Sequence, residues 1–199
     1  MFSGIIDHTG EILKINKIFG KDTLICIRTK YLKKDIKIGS SVCCNGVCLT
    51  VNKIKKLKIG LDLSFDVSNE TIKCSNFSSL NVGSFLNLEK SLRLGDEISG
   101  HFVFGHVDAT TQLLKIVKKS SSHEMIFSIP SKLKKLIVNK GSISLNGVSL
   151  TVNNPLSKSF TVNIIPHTWS FTNLSKIKLG SLINVEVDML ARYVTQNSK

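Results

Sequence analysis

The chain has 199 residues, 42% hydrophobic and 21% charged, with three prolines, so it can bury a core without disulfide staples as one large domain or two small ones. The composition excludes a disordered, collagen-like or membrane-spanning chain. Lys and Arg number 27 against 14 Asp and Glu, a formal charge of +13, which taken alone suggests a nucleic-acid binder.

In chain order, the residue pattern predicts β-strands at 4–15 and 23–28, then a hairpin turning at Asn45-Gly46, then strands at 59–67 and 84–88. Asn-Gly between runs rich in Val, Cys, Leu and Thr favours the positive φ angles of a type I′ turn. Residues 70–77 read as a short helix or turn. The second half predicts strands at 105–116 and 124–129, a hairpin at Asn146-Gly147, strands at 159–165 and 182–187, and a helix or turn at 167–174. In the tail, Val187, Leu190, Ala191 and Val194 fall at three- and four-residue spacing, which predicts an amphipathic helix. Asn197-Ser198-Lys199 are expected to fray beyond it.

The two halves repeat each other. Asn45-Gly46-Val47-Cys48-Leu49-Thr50-Val51-Asn52 returns as Asn146-Gly147-Val148-Ser149-Leu150-Thr151-Val152-Asn153, and Gly4-Ile5-Ile6-Asp7 as Gly105-His106-Val107-Asp108, both at an offset of 101. Thr71, Asn76, Gly83, Ser84, Asn87 and Glu89 return at an offset of 97 as Thr168, Asn173, Gly180, Ser181, Asn184 and Glu186. Colinear matches of this kind point to duplication. Units at 1–97 and 98–186 follow, with a helical tail at 187–199. Five or six short strands per unit favour a small closed antiparallel barrel, which leaves no exposed edge. The fold class is therefore all-β: two tandem six-stranded antiparallel Greek-key barrels with short helical segments and a C-terminal helix.

The five cysteines, Cys26, Cys43, Cys44, Cys48 and Cys74, are odd in number and lie in the first half. With Asp7, His8 and Glu11 interrupting any apolar leader, they point to a reducing cytoplasm. Their spacing lacks a second pair to complete a tetrahedral metal site. The lysines occur as scattered pairs, such as Lys33-Lys34 and Lys134-Lys135, and only three arginines are present, Arg28, Arg93 and Arg192. A solvated basic surface fits this pattern better than a specific nucleic-acid reader.

Several stretches together resemble the riboflavin synthase family, whose members carry two lumazine-binding repeats. They are Met1-Phe2-Ser3-Gly4-Ile5-Ile6, the two Asn-Gly hairpins, Ser99-Gly100-His101-Phe102-Val103-Phe104-Gly105-His106-Val107-Asp108, and Ile165-Pro166-His167-Thr168. The resemblance covers essentially the whole chain. It implies a transferase that passes a four-carbon unit between two molecules of 6,7-dimethyl-8-ribityllumazine, giving riboflavin and 5-amino-6-ribitylaminouracil without a metal or redox cofactor. It also implies a cytoplasmic homotrimer with its active site between subunits, and an association with lumazine synthase. No specific nucleic acid or membrane partner is implied. A non-catalytic lumazine- or flavin-binding protein on the same fold is the alternative.

Carried over residue by residue, the resemblance groups Gly4, Ile5, Ile6, Cys48, Leu49, Thr50, Asp66, Val67, Ser68, Asn69, Glu70 and Thr71 in a first substrate site. It groups Gly105, His106, Val107, Lys140, Ser149, Leu150, Thr151, Asn163, Ile164, Ile165, Pro166, His167 and Thr168 in a second. The catalytic candidates are Ser41, Cys48, His106, Ser149 and Asp188. As a residue type, Cys48 is either a small buried hydrophobe or a polar contact to the ring. Ser41 and Ser149 are either local backbone partners or groups that position water and assist addition to the ring. The His106 imidazole suits proton transfer near neutral pH. Asp188 suits the start of a helix or a reach across a subunit boundary. His101 is expected to support structure and Phe2 to help close the first site.

Overall fold

The computed structural model describes residues 1–17 and 22–197. Six strands, β1 (His8–Asn16), β2 (Thr23–Thr29), β3 (Ser41–Cys44), β4 (Val47–Lys56), β5 (Leu61–Val67) and β6 (Phe85–Lys90), close into an antiparallel barrel in the order 1-2-5-4-3-6. The second barrel uses β7 (Ala109–Lys118), β8 (His123–Ser128), β9 (Ser142–Leu145), β10 (Val148–Asn153), β11 (Ser159–Ile164) and β12 (Leu182–Val187) in the equivalent order. The two six-stranded Greek-key barrels expected from the repeat are what the chain forms.

Alternation decides what each strand buries. In β5, Leu61, Leu63, Phe65 and Val67 turn into the first barrel while Ser64 and Asp66 face outward; in β11, Phe160, Val162 and Ile164 turn inward and Thr161 and Asn163 outward. Register shifts at Ile12/Lys14, Val51/Lys53 and Leu113/Lys115 mark bulges, the usual device for bending strands round a small barrel. Both hairpin turns have the geometry their Asn-Gly pairs predict, with φ of 49° and 82° at Asn45-Gly46 and 47° and 82° at Asn146-Gly147.

The helical segments are α1 (Asn69–Cys74), α2 (Pro166–Phe171) and α3 (Met189–Asn197), with single 3-10 turns at Asn76–Ser79 and Asn173–Lys176 following the first two. Ser68 caps α1, its hydroxyl accepting from the Thr71 N–H at 3.1 Å, and Asp188 Oδ1 accepts from the Leu190 N–H at 3.0 Å ahead of α3. Val187 ends β12 and is not part of the helix; Ser198 and Lys199, expected to fray, lie outside the described residues. Strands β1 and β7 begin four residues later than predicted, at His8 and Ala109, because the residues before them leave their own barrel. Ile59 is an exposed turn residue ahead of β5.

A local pseudo-twofold relation joins the barrels. Phe2 and Val103 exchange backbone hydrogen bonds of 2.7 and 3.0 Å, and both side chains are buried with Cys43 in a small apolar cluster, against which Cys48 packs. Phe2, expected to close the first site, is 0% exposed and fills this joint instead. Around it, six buried asparagines bond across the barrels. Asn45 Oδ1 accepts from Asn173 Nδ2 at 2.9 Å, and Asn146 Oδ1 accepts from Asn76 Nδ2 at 3.1 Å. Asn87 Oδ1 accepts from the Asn173 N–H at 2.7 Å while its Nδ2 donates to the Asn146 carbonyl at 3.0 Å. Asn184 does the same to the Asn76 N–H at 2.6 Å and the Asn45 carbonyl at 2.8 Å. An amide side chain both donates and accepts, so one residue type satisfies both polarities of a buried turn.

Replacing Asn87 by Ala leaves the Asn173 N–H and the Asn146 carbonyl buried without this partner, at about 1–3 kcal/mol each. Chemical denaturation of Asn87→Ala should show a loss of about 2–4 kcal/mol, against about 0.5 kcal/mol or less for Asn81→Ala in an exposed turn.

Candidate functional site

Each barrel leaves part of one strand edge uncovered. β4 starts at Val47, but its pairing with β5 starts only at Val51; β10 starts at Val148, and β11 pairs with it only at Val152 and Asn153. The period of two turns Leu49 into the core and leaves Cys48 and Thr50 facing outward on β4, with Ser149 and Thr151 at the matching positions of β10. Two short apolar-to-polar troughs result, each beside backbone that β5 or β11 does not cover.

The wall of each trough comes from the other half of the chain. The Cys48 N–H donates to the Gly105 carbonyl at 2.9 Å, and the Ser149 N–H donates to the Gly4 carbonyl at 2.8 Å. Val107 packs against the first core and Ile6 against the second. The grouping expected from sequence is therefore exchanged: Gly4, Ile5 and Ile6 belong with Ser149, and Gly105, His106 and Val107 with Cys48. Both glycines are required here. Gly105 has φ +79°, and a Cβ on it would sit 2.5 Å from Cys48 Cβ; Gly4 has φ +77°, with Ser149 Cβ at 2.6 Å.

The first site encloses about 310 Å³ between Val47, Cys48, Thr71, Cys74, His106 and Val107, the lower end of small-molecule pocket sizes. Glu70, at the mouth, accepts from the Cys74 thiol at 3.0 Å, and Asn52, outward on β4, donates to Asp66 on β5. Ser68 is tied up as the helix cap. Asn69 is exposed, and the side chains of Leu49 and Val67, at 5% and 0% exposure, belong to the barrel core. Their backbone alone can face a ligand, because a strand that turns Cys48 and Asp66 outward must turn these neighbours inward.

The second site centres on Ser149, whose Oγ lies 2.7 Å from His101 Nδ1. His101 is anchored through its own N–H to the Ser3 carbonyl at 3.1 Å. Burial lowers the His101 pKa from its ordinary value, and the Asp188 carboxylate acts in the opposite direction. A neutral imidazole next to a hydroxyl, with a carboxylate to favour the charged form once a proton arrives, is an arrangement for proton transfer. Thr151, Asn163, Ile165, Pro166 and His167 are exposed, and Thr168 half-buried, on β10, β11 and α2. His167 stacks on Phe171 at 4.4 Å. Leu150 packs on the core, and Ile164, at 0% exposure, lies inside it. Lys140, with φ 63°, reaches Asn153 Oδ1 at 3.0 Å from an exposed turn.

Two catalytic candidates also line clefts outside these troughs. Ser41 is opposite Thr50 in the hairpin register but lines a separate cleft of about 480 Å³ among Lys33, Lys37, Lys90 and Arg93. Asp188 borders a cleft between the second barrel and α3, with Leu136, Val138, Leu190 and Val194. His101, expected to support structure, is also brought against Ser149 by the fold, a contact the sequence reading did not include. It precedes the repeated stretch Gly105–Asp108 and has no counterpart in the first half, so the repeat does not point to it.

A lumazine-binding-domain profile matches residues 3–91 and again 104–188. Riboflavin synthase of Bacillus subtilis (strain 168) is 37% identical over 194 residues, covering 98% of this chain and 88% of the relative. The chain belongs to the riboflavin synthase family. Other family members agree: riboflavin synthase of Escherichia coli (strain K12) is 35% identical over 94% of this chain and 87% of its own. That of Buchnera aphidicola subsp. Schizaphis graminum (strain Sg) is 36% identical over 100% of this chain and 94% of its own. Among solved structures, LumP complexed with riboflavin superposes with a TM-score of 0.83 at 26% identity, over 94% of this chain and 99% of that one. LumP complexed with 6,7-dimethyl-8-(1'-D-ribityl)lumazine superposes with a TM-score of 0.81 over the same shares.

Because Gly105 meets Cys48 backbone and side chain at once, Gly105→Ala should cost more than the roughly 1–2 kcal/mol of a left-handed residue alone. Gly39→Ala, with φ +86° and nothing within 4 Å, should cost only that strain. Denaturant titration of the two variants checks the difference.

Proposed function

We propose that the protein is a riboflavin synthase, a transferase that converts two molecules of 6,7-dimethyl-8-ribityllumazine into riboflavin and 5-amino-6-ribitylaminouracil. The observation that carries this reading is the pair of similar troughs, one on β4 and one on β10, each with an uncovered strand edge and a wall from the other half of the chain. A reaction between two copies of one heterocycle needs two sites of the same shape with different polar groups. The uncovered edges suit the donor–acceptor edge of the pyrimidinedione, Val107 and Ile6 supply apolar faces, and the outward Thr50, Asp66, Thr151 and Asn163 suit the ribityl hydroxyls.

The chemistry divides between the troughs. The heterocycle stabilises the carbanion left when a ring methyl loses its proton, so the protein must orient two rings and move protons. In the second site, His101 takes the Ser149 proton as the hydroxyl acts on the ring or on a water, and Asp188 favours the imidazolium that results. In the first site, Cys48 and His106 line the same pocket, and His106 is the proton-transfer group. The four-carbon unit leaves one ring and joins the other, which releases the pyrimidine.

We place the productive pair of sites between the first barrel of one subunit and the second barrel of its neighbour in a homotrimer. The exposed apolar side chains of α3, Leu190 and Tyr193 at 68% and 62% exposure, support an assembly role for the tail. The five free cysteines support a reducing cytoplasm.

The test is to incubate the protein with 6,7-dimethyl-8-ribityllumazine alone and follow absorbance. Riboflavin formed at half the rate of lumazine loss supports the synthase; tight binding without turnover supports instead a non-catalytic lumazine- or flavin-binding protein on the same fold. The pH profile tests His101. Its folded pKa lies below 6.5, so the unfolded chain takes up the proton first, and both stability and the neutral imidazole are lost as pH falls from the unfolded pKa through the lower folded one. Turnover should show an acid limb with a midpoint under 6.5. His101→Gln should abolish that limb and lower kcat by roughly 10²–10⁴.

A further inference from the structure

Each barrel buries one carboxylate on its last strand, and the troughs described above do not use either. Glu89 on β6 and Glu186 on β12 are 4% and 3% exposed. Among the described residues, no ion pair joins either one to Lys or Arg. An uncompensated buried charge is costly unless donors surround it, and here the donors are backbone N–H groups and one serine hydroxyl. Glu89 accepts from the Ser3 N–H and hydroxyl at 2.7 Å each and from the Gly4 N–H at 3.0 Å. Glu186 accepts from the N–H groups of Phe104, Gly105 and His106 at 2.7, 2.9 and 3.0 Å.

These donors open two short arches. After its clamp, each arch returns to its own barrel at an aspartate: the Asp7 N–H donates to the Leu88 carbonyl at 2.9 Å and the Asp108 N–H to the Val185 carbonyl at 2.8 Å. Between clamp and return, the arch reaches the opposite barrel, where Gly4 meets Ser149 and Gly105 meets Cys48. The carboxylate that fixes an arch therefore belongs to one barrel, and the ligand wall that the arch makes belongs to the other.

We infer that Glu186 and Glu89 are positioning residues that act crosswise, Glu186 of the second barrel setting the ligand site of the first and Glu89 of the first barrel setting that of the second. The arrangement ties the geometry of each site to the integrity of both barrels. It assigns a task to a repeat pair that touches no reacting atom. The ligand part of this inference rests on the riboflavin synthase reading; the geometric part does not.

The test pairs two substitutions with two readouts. In the ligand-free protein, amide hydrogen exchange should speed up about tenfold at Cys48 and not at Ser149 in Glu186→Gln, and at Ser149 and not at Cys48 in Glu89→Gln, the factor expected for losing one hydrogen bond to a charged acceptor. In riboflavin titrations followed by methyl NMR, affinity should fall about tenfold at the Val107 methyls in Glu186→Gln and at the Ile6 methyls in Glu89→Gln. Amides of Leu63 and Phe127, one in each core, report whether the barrels stay folded. If they lose protection, Glu186→Asp and Ser3→Ala disturb the same clamps more gently and carry the same crosswise expectation. Effects confined to the substituted residue's own barrel, equal effects at both sites, or no effect would overturn the inference. If the unsubstituted chain binds no riboflavin, the functional reading fails while the exchange pattern still decides the positioning role.

Discussion

Backbone groups that leave a strand ladder must find partners elsewhere, and that constraint organises this molecule. The first four residues of β4 and of β10 extend past their neighbours β5 and β11. The groups that meet them, the carbonyls of Gly105 and Gly4, come from the opposite half of the chain. A barrel closed on every strand would have no place for a flat heterocycle with donors and acceptors along one edge. A barrel open at one edge would invite unwanted pairing with other chains. Partial cover by a short glycine-led arch leaves a trough of limited size.

The same exchange explains why the two barrels act as one unit. Several residues that repeat between the halves gather at the joint: Asn45 and Asn146, Asn87 and Asn184, Asn76 and Asn173, Glu89 and Glu186, Gly4 and Gly105. A pseudo-twofold joint meets itself, so each side must donate and accept in equal measure, and asparagine does both. Cys48 and Ser149, which differ between the halves, lie in the troughs. Ser149 has His101 2.7 Å away, whereas Cys48 shares its pocket with His106, which gives two related sites unequal chemistry. The difference suits a reaction in which two copies of one substrate take different parts.

Much of this was legible in the sequence. Two Asn-Gly hairpins and a colinear repeat led directly to two barrels, and the pairing of Cys48 with Ser149 pointed to two related sites. Strict alternation also limits Leu49, Val67 and Ile164 to backbone contacts with a ligand, since Cys48, Asp66 and Asn163 beside them face outward. The exchange of Gly4–Ile6 with Gly105–Val107 was not legible, because each segment is adjacent in sequence to one barrel and adjacent in space to the other. Nor was the contact of His101 with Ser149, which spans 48 residues and has no equivalent in the other half. The charge of +13 gave no guide to the site.

A crystal structure of the protein with riboflavin tests the central claim most directly. The account predicts the ring of the first bound molecule between Cys48 on one side and Gly105–Val107 on the other, and that of the second between Ser149 and Gly4–Ile6, each with its pyrimidinedione edge on the uncovered part of β4 or β10. A ring seated only against residues of a single barrel, or in the lysine-lined cleft beside Ser41, would contradict it.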